Sequence, residues 1–114
     1  MPFLHSRVNI PITPEQEQEL KTRLGQAISL LPGKSERWLM TGFEDNVRLY
    51  FRGENLDPIA FIEVKLFGGS DKSSYDQLTA AITEIFGDVL GIAPDHIYVC
   101  YEPTNDWGWN GSNF

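Results

Sequence analysis

Proline stands directly after the initiator methionine, as Pro2, and carries the most distinctive chemistry in the chain. Its small ring permits removal of Met1, and removal would leave a secondary amine at the chain terminus. Such an amine titrates at about 8 in its reference state, and burial among apolar groups or a nearby cation lowers that value toward neutral pH. It could then serve as a general base at its working pH. On the Met-Pro dipeptide alone, a strand-edge proline is the plainer reading. An anionic ligand would draw its cation from the first half of the chain, since residues 1–57 carry seven basic and eight acidic side chains against two and eight in residues 58–114. Lys34 and Arg37 follow the first helical stretch. A helix C-terminus favours a lysine whatever its function, and Arg37 reads as a solvated residue that could assist an anion.

The other reactive side chains exclude more than they offer. Cys100 is the single cysteine of the 114 residues, so an internal disulfide, a CxxC redox pair and a cysteine-rich zinc site are out. His5 and His96 have no third ligand near them in sequence to suggest a metal. A formal charge of −7 argues against nucleic acid, whose phosphates require clustered Lys and Arg. No apolar run approaches the roughly 18 residues of a membrane span. Arg7 and the polar residues before it leave no secretory apolar segment, which predicts a cytoplasmic protein and leaves the Asn110-Gly111-Ser112 sequon unglycosylated.

The elements that must position these groups follow from the apolar periodicity. Phe3 to Ile10 alternates as a strand, with Leu4, Ser6, Val8 and Ile10 on one face and Phe3, His5, Arg7 and Asn9 on the other. Thr13-Pro14-Glu15-Gln16 predicts a capped helix start, with proline at the first helical position. Leu20, Leu24, Ala27, Ile28 and Leu31 form one stripe, which Pro32-Gly33 ends. A strand is expected from Trp38 to Phe43, then a turn at Asp45-Asn46 and a short ribbon over Val47 to Phe51. Ile59 to Phe67 reads as a long strand, Gly68-Gly69-Ser70 as a turn with a helix cap, and Tyr75 to Leu90 as a second helical stripe closed by Gly91. Ile97 to Cys100 reads as the last strand. A shift of 58 residues lays the first stripe on Leu78, Ile82, Ile85, Phe86 and Val89, an internal repeat of a strand–helix–strand unit.

Two such units imply an α+β fold over residues 1–114 as one domain, with a four-stranded mixed sheet and both helices on one face. The opposite face, expected to carry Phe3, His5, Ile59 and Phe61, would then need cover, most economically from other copies of the chain.

The order and spacing of several motifs along the whole chain resemble the macrophage migration inhibitory factor family of tautomerases. They are Pro2 opening a strand, Gly33-Lys34 after the first helix, the third strand running into Gly68-Gly69, Ser74-Tyr75, Ala93-Pro94-Asp95-His96-Ile97-Tyr98, and the ending Trp107-Gly108-Trp109-Asn110-Gly111-Ser112-Asn113-Phe114. The resemblance implies a homotrimer with sites between subunits and cofactor-free keto–enol tautomerisation of phenylpyruvate-like α-keto acids. It assigns Pro2 as the catalytic base, Lys34 to the substrate carboxylate and enol charge, a backbone N–H of Val64 to the substrate, and Tyr98 as a contribution from the neighbouring subunit. Phe3, Trp38, Trp107, Trp109 and Phe114 would supply apolar walls. From the residues alone, Tyr98 alternates with Ile97 and Val99 and reads equally as core, and two tryptophans around Gly108 read as packing or as a patch awaiting a partner.

Two departures mark this chain within that resemblance. Cys100, a weak hydrogen-bond donor, stands in the pocket where relatives carry asparagine, and Asp57-Pro58-Ile59-Ala60 replaces their Cys-x-x-Cys, so thiol oxidoreductase chemistry is not expected. Two other readings stay open on the sequence. One is a cytokine-like binding protein that meets a protein receptor, exported without a signal peptide and with a vestigial pocket. The other is a dehalogenase or hydratase in which a charged Pro2 acts as an acid, for which the chain offers Arg37 but no paired carboxylates.

Overall fold

The computed structural model describes all 114 residues. The first unit runs from β1 (Pro2–Val8) through α1 (Pro14–Ala27) to β2 (Met40–Glu44), and the second from β3 (Ala60–Phe67) through α2 (Lys72–Leu90) to β4 (Ile97–Thr104). Each unit pairs its own strands in parallel, and antiparallel pairing of β1 with β3 joins the units in the order β2-β1-β3-β4. The α+β fold of two repeated β-α-β units is therefore present as the periodicity requires.

Both helices start where their caps dictate. At α1 the Thr13 hydroxyl accepts from the Gln16 N–H at 3.2 Å while the Gln16 amide oxygen accepts from the Thr13 N–H at 2.9 Å, and Pro14 sits where no donor is needed. Leu20, Leu24, Ile28 and Leu31 are fully buried against Leu78, Ile82 and Phe86 of α2 and against Leu4, Val8, Ile62, Val64 and Leu66 of the sheet. Each such side chain contributes about 1.5–3 kcal/mol relative to exposure, so this layer fixes the sheet whose end carries Pro2.

Five details depart from expectation. The regular helix α1 stops at Ala27 and tightens into a 3₁₀ turn over Ile28–Leu30, because Pro32 denies the stripe another α-helical turn. Trp38 lies outside β2, in a 3₁₀ turn (Glu36–Trp38) in which the Trp38 N–H donates to the Ser35 carbonyl at 3.2 Å. The ribbon over Val47 to Phe51 forms no ladder. β1 is already flanked by β2 and β3, so the segment has only single bonds such as Val47 N–H to Val8 O at 2.9 Å and a tight turn in which Phe51 and Glu54 exchange bonds. Asp71 rather than Ser70 caps α2, its two carboxylate oxygens taking the Ser74 N–H at 2.7 Å and hydroxyl at 3.0 Å.

The helix-free face is the fifth. It does carry Phe3, His5 and Phe61, but Ile59 precedes β3 and is buried, and charged residues fill much of the surface. Arg7 bridges Glu63 and Glu44, the latter at 3.2 Å, and His5 Nε2 lies 2.6 Å from Glu44. Desolvating such a face costs more than covering an apolar one.

The last residues form a two-stranded hairpin, β5 (Gly108–Trp109) with β6 (Ser112–Asn113). Its two-residue turn places Asn110 at φ 54° and Gly111 at φ 88°, the left-handed pair that an Asn-Gly turn supplies at least strain. No helix is long and apolar enough to cross a membrane.

Candidate active site

The ladder of β1 with β3 determines what surrounds the chain terminus. Pro2 lies opposite Leu66 and Leu4 opposite Val64, while Phe67 N–H donates to the Met1 carbonyl at 3.2 Å. Antiparallel pairs alternate between hydrogen-bonded and open positions. The bond at Met1 and Phe67 therefore makes Pro2–Leu66 an open pair, which suits a residue without an N–H, and also makes Leu4–Val64 open.

Lys34 closes the same end of the sheet. Its ammonium donates to the Phe67 carbonyl at 2.9 Å, where the ladder has run out of backbone partners. The charged residue nearest in sequence, Glu36, is turned away, with its carboxylate lying over Gly25 of α1. Neither Lys34 nor Arg37 has a carboxylate within 4 Å. The terminal ammonium titrates below its ordinary value of 8.0, first because burial disfavours the charged form and second because Lys34 repels it. Pro2 itself is buried, so an amine on Pro2 would be desolvated further than one on Met1.

Aromatic rings stand beside this cationic corner. Trp38 meets Trp109 edge-on at 5.2 Å, Trp109 stacks parallel to Phe114 at 6.5 Å, and Phe114 lies 5.4 Å from Phe67. The hairpin holds them there, with Phe114 N–H bonded to the Trp107 carbonyl at 3.0 Å. Arg37 covers the outer face of Trp38, 5.2 Å from the ring centre, as a guanidinium over an indole is attracted to do. Trp38, Trp109 and Phe114 all keep more than a third of their surface exposed in the single chain, so the slot lacks a wall.

The remaining expected site residues are elsewhere. Phe3 projects to the helix-free face and stacks on His5 at 5.4 Å. Val64 is fully buried on the central strand, and the ladder parity turns its N–H away from β1 toward β4. Tyr98 is opposite Phe61 of β3, five positions from Leu66, or about 16 Å along the strand. Cys100 is opposite Glu63 and half-buried on the same helix-free face. Tyr98 lines its own apolar hollow of about 190 Å³ with Leu49, Phe51, Ile59, Phe61 and His96, and its ring meets Phe51 edge-on at 5.5 Å. The structure thus gathers Pro2, Lys34, Trp38, Trp107, Trp109 and Phe114 at one end of the sheet and holds Tyr98 and Cys100 toward the other. No group of three or more His, Cys, Asp or Glu converges as metal ligands.

Phe67 is the participant that sequence reasoning missed. It contributes a ring to the wall and both of its backbone groups to the corner, and the only sequence signal was its place as the last strand residue before Gly68-Gly69.

Comparison with known proteins bears on this geometry. The family model described as macrophage migration inhibitory factor matches residues 1–114. The MIF-like protein mif-2 of Caenorhabditis elegans is 26% identical over 114 residues, covering 98% of this chain and 93% of that protein. Among solved structures, Leishmania major MIF2 superimposes with a TM-score of 0.92 at 32% identity, covering 100% of this chain and 97% of the other. A macrophage migration inhibitory factor homologue from Prochlorococcus marinus gives a TM-score of 0.86 at 31% identity, covering 98% of each chain.

Proposed function

Because the chain belongs to the macrophage migration inhibitory factor family, with the tautomerase-superfamily fold, we propose that it is a cofactor-free keto–enol tautomerase of phenylpyruvate-like α-keto acids. The observation that carries the reading is a chain terminus set beside Lys34 at a corner walled with aromatic rings, where burial and that lysine already disfavour the cation of the Met1 amine. Loss of Met1 would free a secondary amine on the buried Pro2 in the same corner.

The uncharged Pro2 amine takes a proton from the carbon next to the keto group. The C–H electron pair becomes the C=C bond, the carbonyl π pair moves to oxygen, and the Pro2 ammonium returns the proton to that oxygen to give the enol. The reverse sequence ketonises an enol. Lys34 holds the substrate carboxylate, and the ring wall lowers the local dielectric so that this charge and the backbone dipoles act strongly. General acid–base transfer of this kind contributes about 10²–10⁴ in rate.

The separation of Tyr98 from Pro2 within one chain supports a homotrimer in which a second copy brings Tyr98 and Cys100 to the open side of the slot. Tyr98 then orients the substrate oxygen by hydrogen bonding, and Cys100 touches the far end of the substrate.

The test is a pH–rate profile of the Met1-processed protein with phenylpyruvate, alongside Pro2→Gly. A base mechanism predicts activity that falls as the amine protonates and a loss of at least tenfold in the variant. Full activity in Pro2→Gly, or activity that rises on protonation, would overturn the assignment.

A further inference from the structure

Of the six asparagines in the chain, Asn110 alone is followed by glycine; the others precede Ile10, Val47, Leu56, Asp106 and Phe114. A backbone nitrogen that carries no side chain on its own residue can approach the preceding asparagine amide closely. Asn110 and Gly111 are both exposed at the tip of the terminal hairpin, and the Gly111 N–H has no backbone acceptor. We propose that Asn110-Gly111 is a site of spontaneous intramolecular modification, in which the Gly111 nitrogen attacks the Asn110 side-chain amide, and that the isoaspartate so formed unseats the aromatic wall that this hairpin carries.

The chemistry needs no reactant but water. The Gly111 nitrogen gives its proton to solvent and bonds to Asn110 Cγ, the Cγ–Nδ2 bond breaks, and the departing nitrogen takes up a proton and leaves as ammonia. Water then opens the five-membered ring at one of its two carbonyls. Attack at the side-chain carbonyl gives aspartate; attack at the main-chain carbonyl gives isoaspartate, whose backbone runs through Cγ and is longer by one carbon. Ring closure rotates the Asn110–Gly111 peptide out of its left-handed turn, so it draws on molecules whose hairpin has opened. Little opposes that opening. β5 and β6 contribute two residues each at the chain end, and a two-stranded ladder of that length is marginal. The two products then differ in what they do to the turn. Aspartate tolerates the left-handed region as asparagine does, so the hairpin closes again. Isoaspartate sets an extra carbon between Trp109 and Ser112, the pair that closes the two-residue turn. Trp109 is then displaced from its edge contact with Trp38 at 5.2 Å, and Phe114 from Phe67 at 5.4 Å.

The test incubates the whole protein in neutral and in mildly alkaline buffer, beside a synthetic peptide of residues 105–114 that sets the clock. Intact mass, peptide mapping, enzymatic methylation of isoaspartate and tryptophan emission are followed together. The mass should rise by the difference between an amide NH₂ and a hydroxyl, at residue 110 and at no other asparagine, and several-fold faster in the alkaline buffer because the deprotonated nitrogen attacks. Tryptophan emission should shift to the red in step with the isoaspartate content, as Trp109 and Trp38 become wetter. Asn110→Gly keeps a Gly-Gly turn of the same type and should hold both its mass and its emission. Freshly made Asn110→Asp should have the emission of the fresh native protein, which separates the added backbone carbon from the added charge. An unchanged residue 110 after about ten half-lives of the peptide, isoaspartate without a change in emission, or an equal drift in Asn110→Gly would overturn the proposal. None of these readouts depends on turnover, so the result stands apart from the tautomerase reading.

Discussion

Replacing Lys34 by glutamine removes a charge that acts in two ways, and the two are separable. The Lys34 ammonium bonds the Phe67 carbonyl at 2.9 Å, and with no carboxylate within 4 Å its charge is free for a ligand. A hydrogen bond to a charged partner contributes about 1.5–3 kcal/mol. The ammonium is already bonded to the Phe67 carbonyl and shares its donors with it, so the lower figure applies, and about 1.4 kcal/mol is tenfold in affinity. The KM for phenylpyruvate should therefore rise roughly tenfold, whereas phenylpyruvamide, which lacks the carboxylate, should lose less than twofold. Lys34 is also the second cause, after burial, of the lowered titration of the Met1 ammonium, and by the same repulsion its charge should disfavour a cation on the adjacent Pro2 once Met1 is gone. Without it the amine holds its proton to a higher pH, so the acid limb of kcat/KM moves upward, yet not fully to the ordinary value because burial remains. The assay is steady-state kinetics on both compounds from pH 5 to 9, with thermal unfolding to confirm the fold. An equal KM rise for both compounds, or an acid limb that stays in place or moves down, would refute the reasoning.

Three more perturbations probe the frame around the site. Ser6 Oγ is fully buried on β1 without a hydrogen-bond partner, and a stranded polar group costs about 1–3 kcal/mol; Ser6→Ala should raise Tm by a few degrees, and a drop would contradict this. Gly111→Ala forces a Cβ onto φ 88° at the turn that carries Trp109 and Phe114, a strain of about 1–2 kcal/mol; a raised KM with the global Tm lowered by only a few degrees is expected, and unchanged kinetics would detach the hairpin from the site. Arg7, through its hydrogen bond, holds the Glu63 carboxyl below its ordinary value of 4.5. A carboxylate depressed in the folded state stabilises above its unfolded value and loses that contribution as pH falls through the folded one. The Tm gap between the native protein and Arg7→Gln should therefore be open at pH 7 and close as pH drops below about 4.5; a gap that widens in acid would reverse the assignment.

Local chemistry made much of this molecule legible in its sequence. Thr13 and Gln16 cap α1 because side chain and backbone sit three residues apart, and the stripes at Leu20 and Leu78 mark the repeat because helix spacing is a local property. What stayed hidden depends on pairing between distant segments. Trp38 has the look of a strand residue but turns out of β2 to meet Trp109, which lies far along the chain. Asp71 outcompetes Ser70 as a cap because a carboxylate can take two donors from Ser74. The distance of Tyr98 from Pro2 follows from the register of β4 on β3, which no local pattern encodes. Phe67 enters the corner through its peptide group, and a peptide group leaves no mark in side-chain patterning.

The most direct test of Pro2 as the base is a matched comparison of two preparations, one with Met1 removed and one retaining it, each identified by intact mass. In the first the Pro2 nitrogen is a basic amine, and in the second an amide with no basic lone pair. The account predicts phenylpyruvate tautomerisation in the processed protein and a loss of at least a hundredfold in the retained one. Equal turnover by both would contradict it.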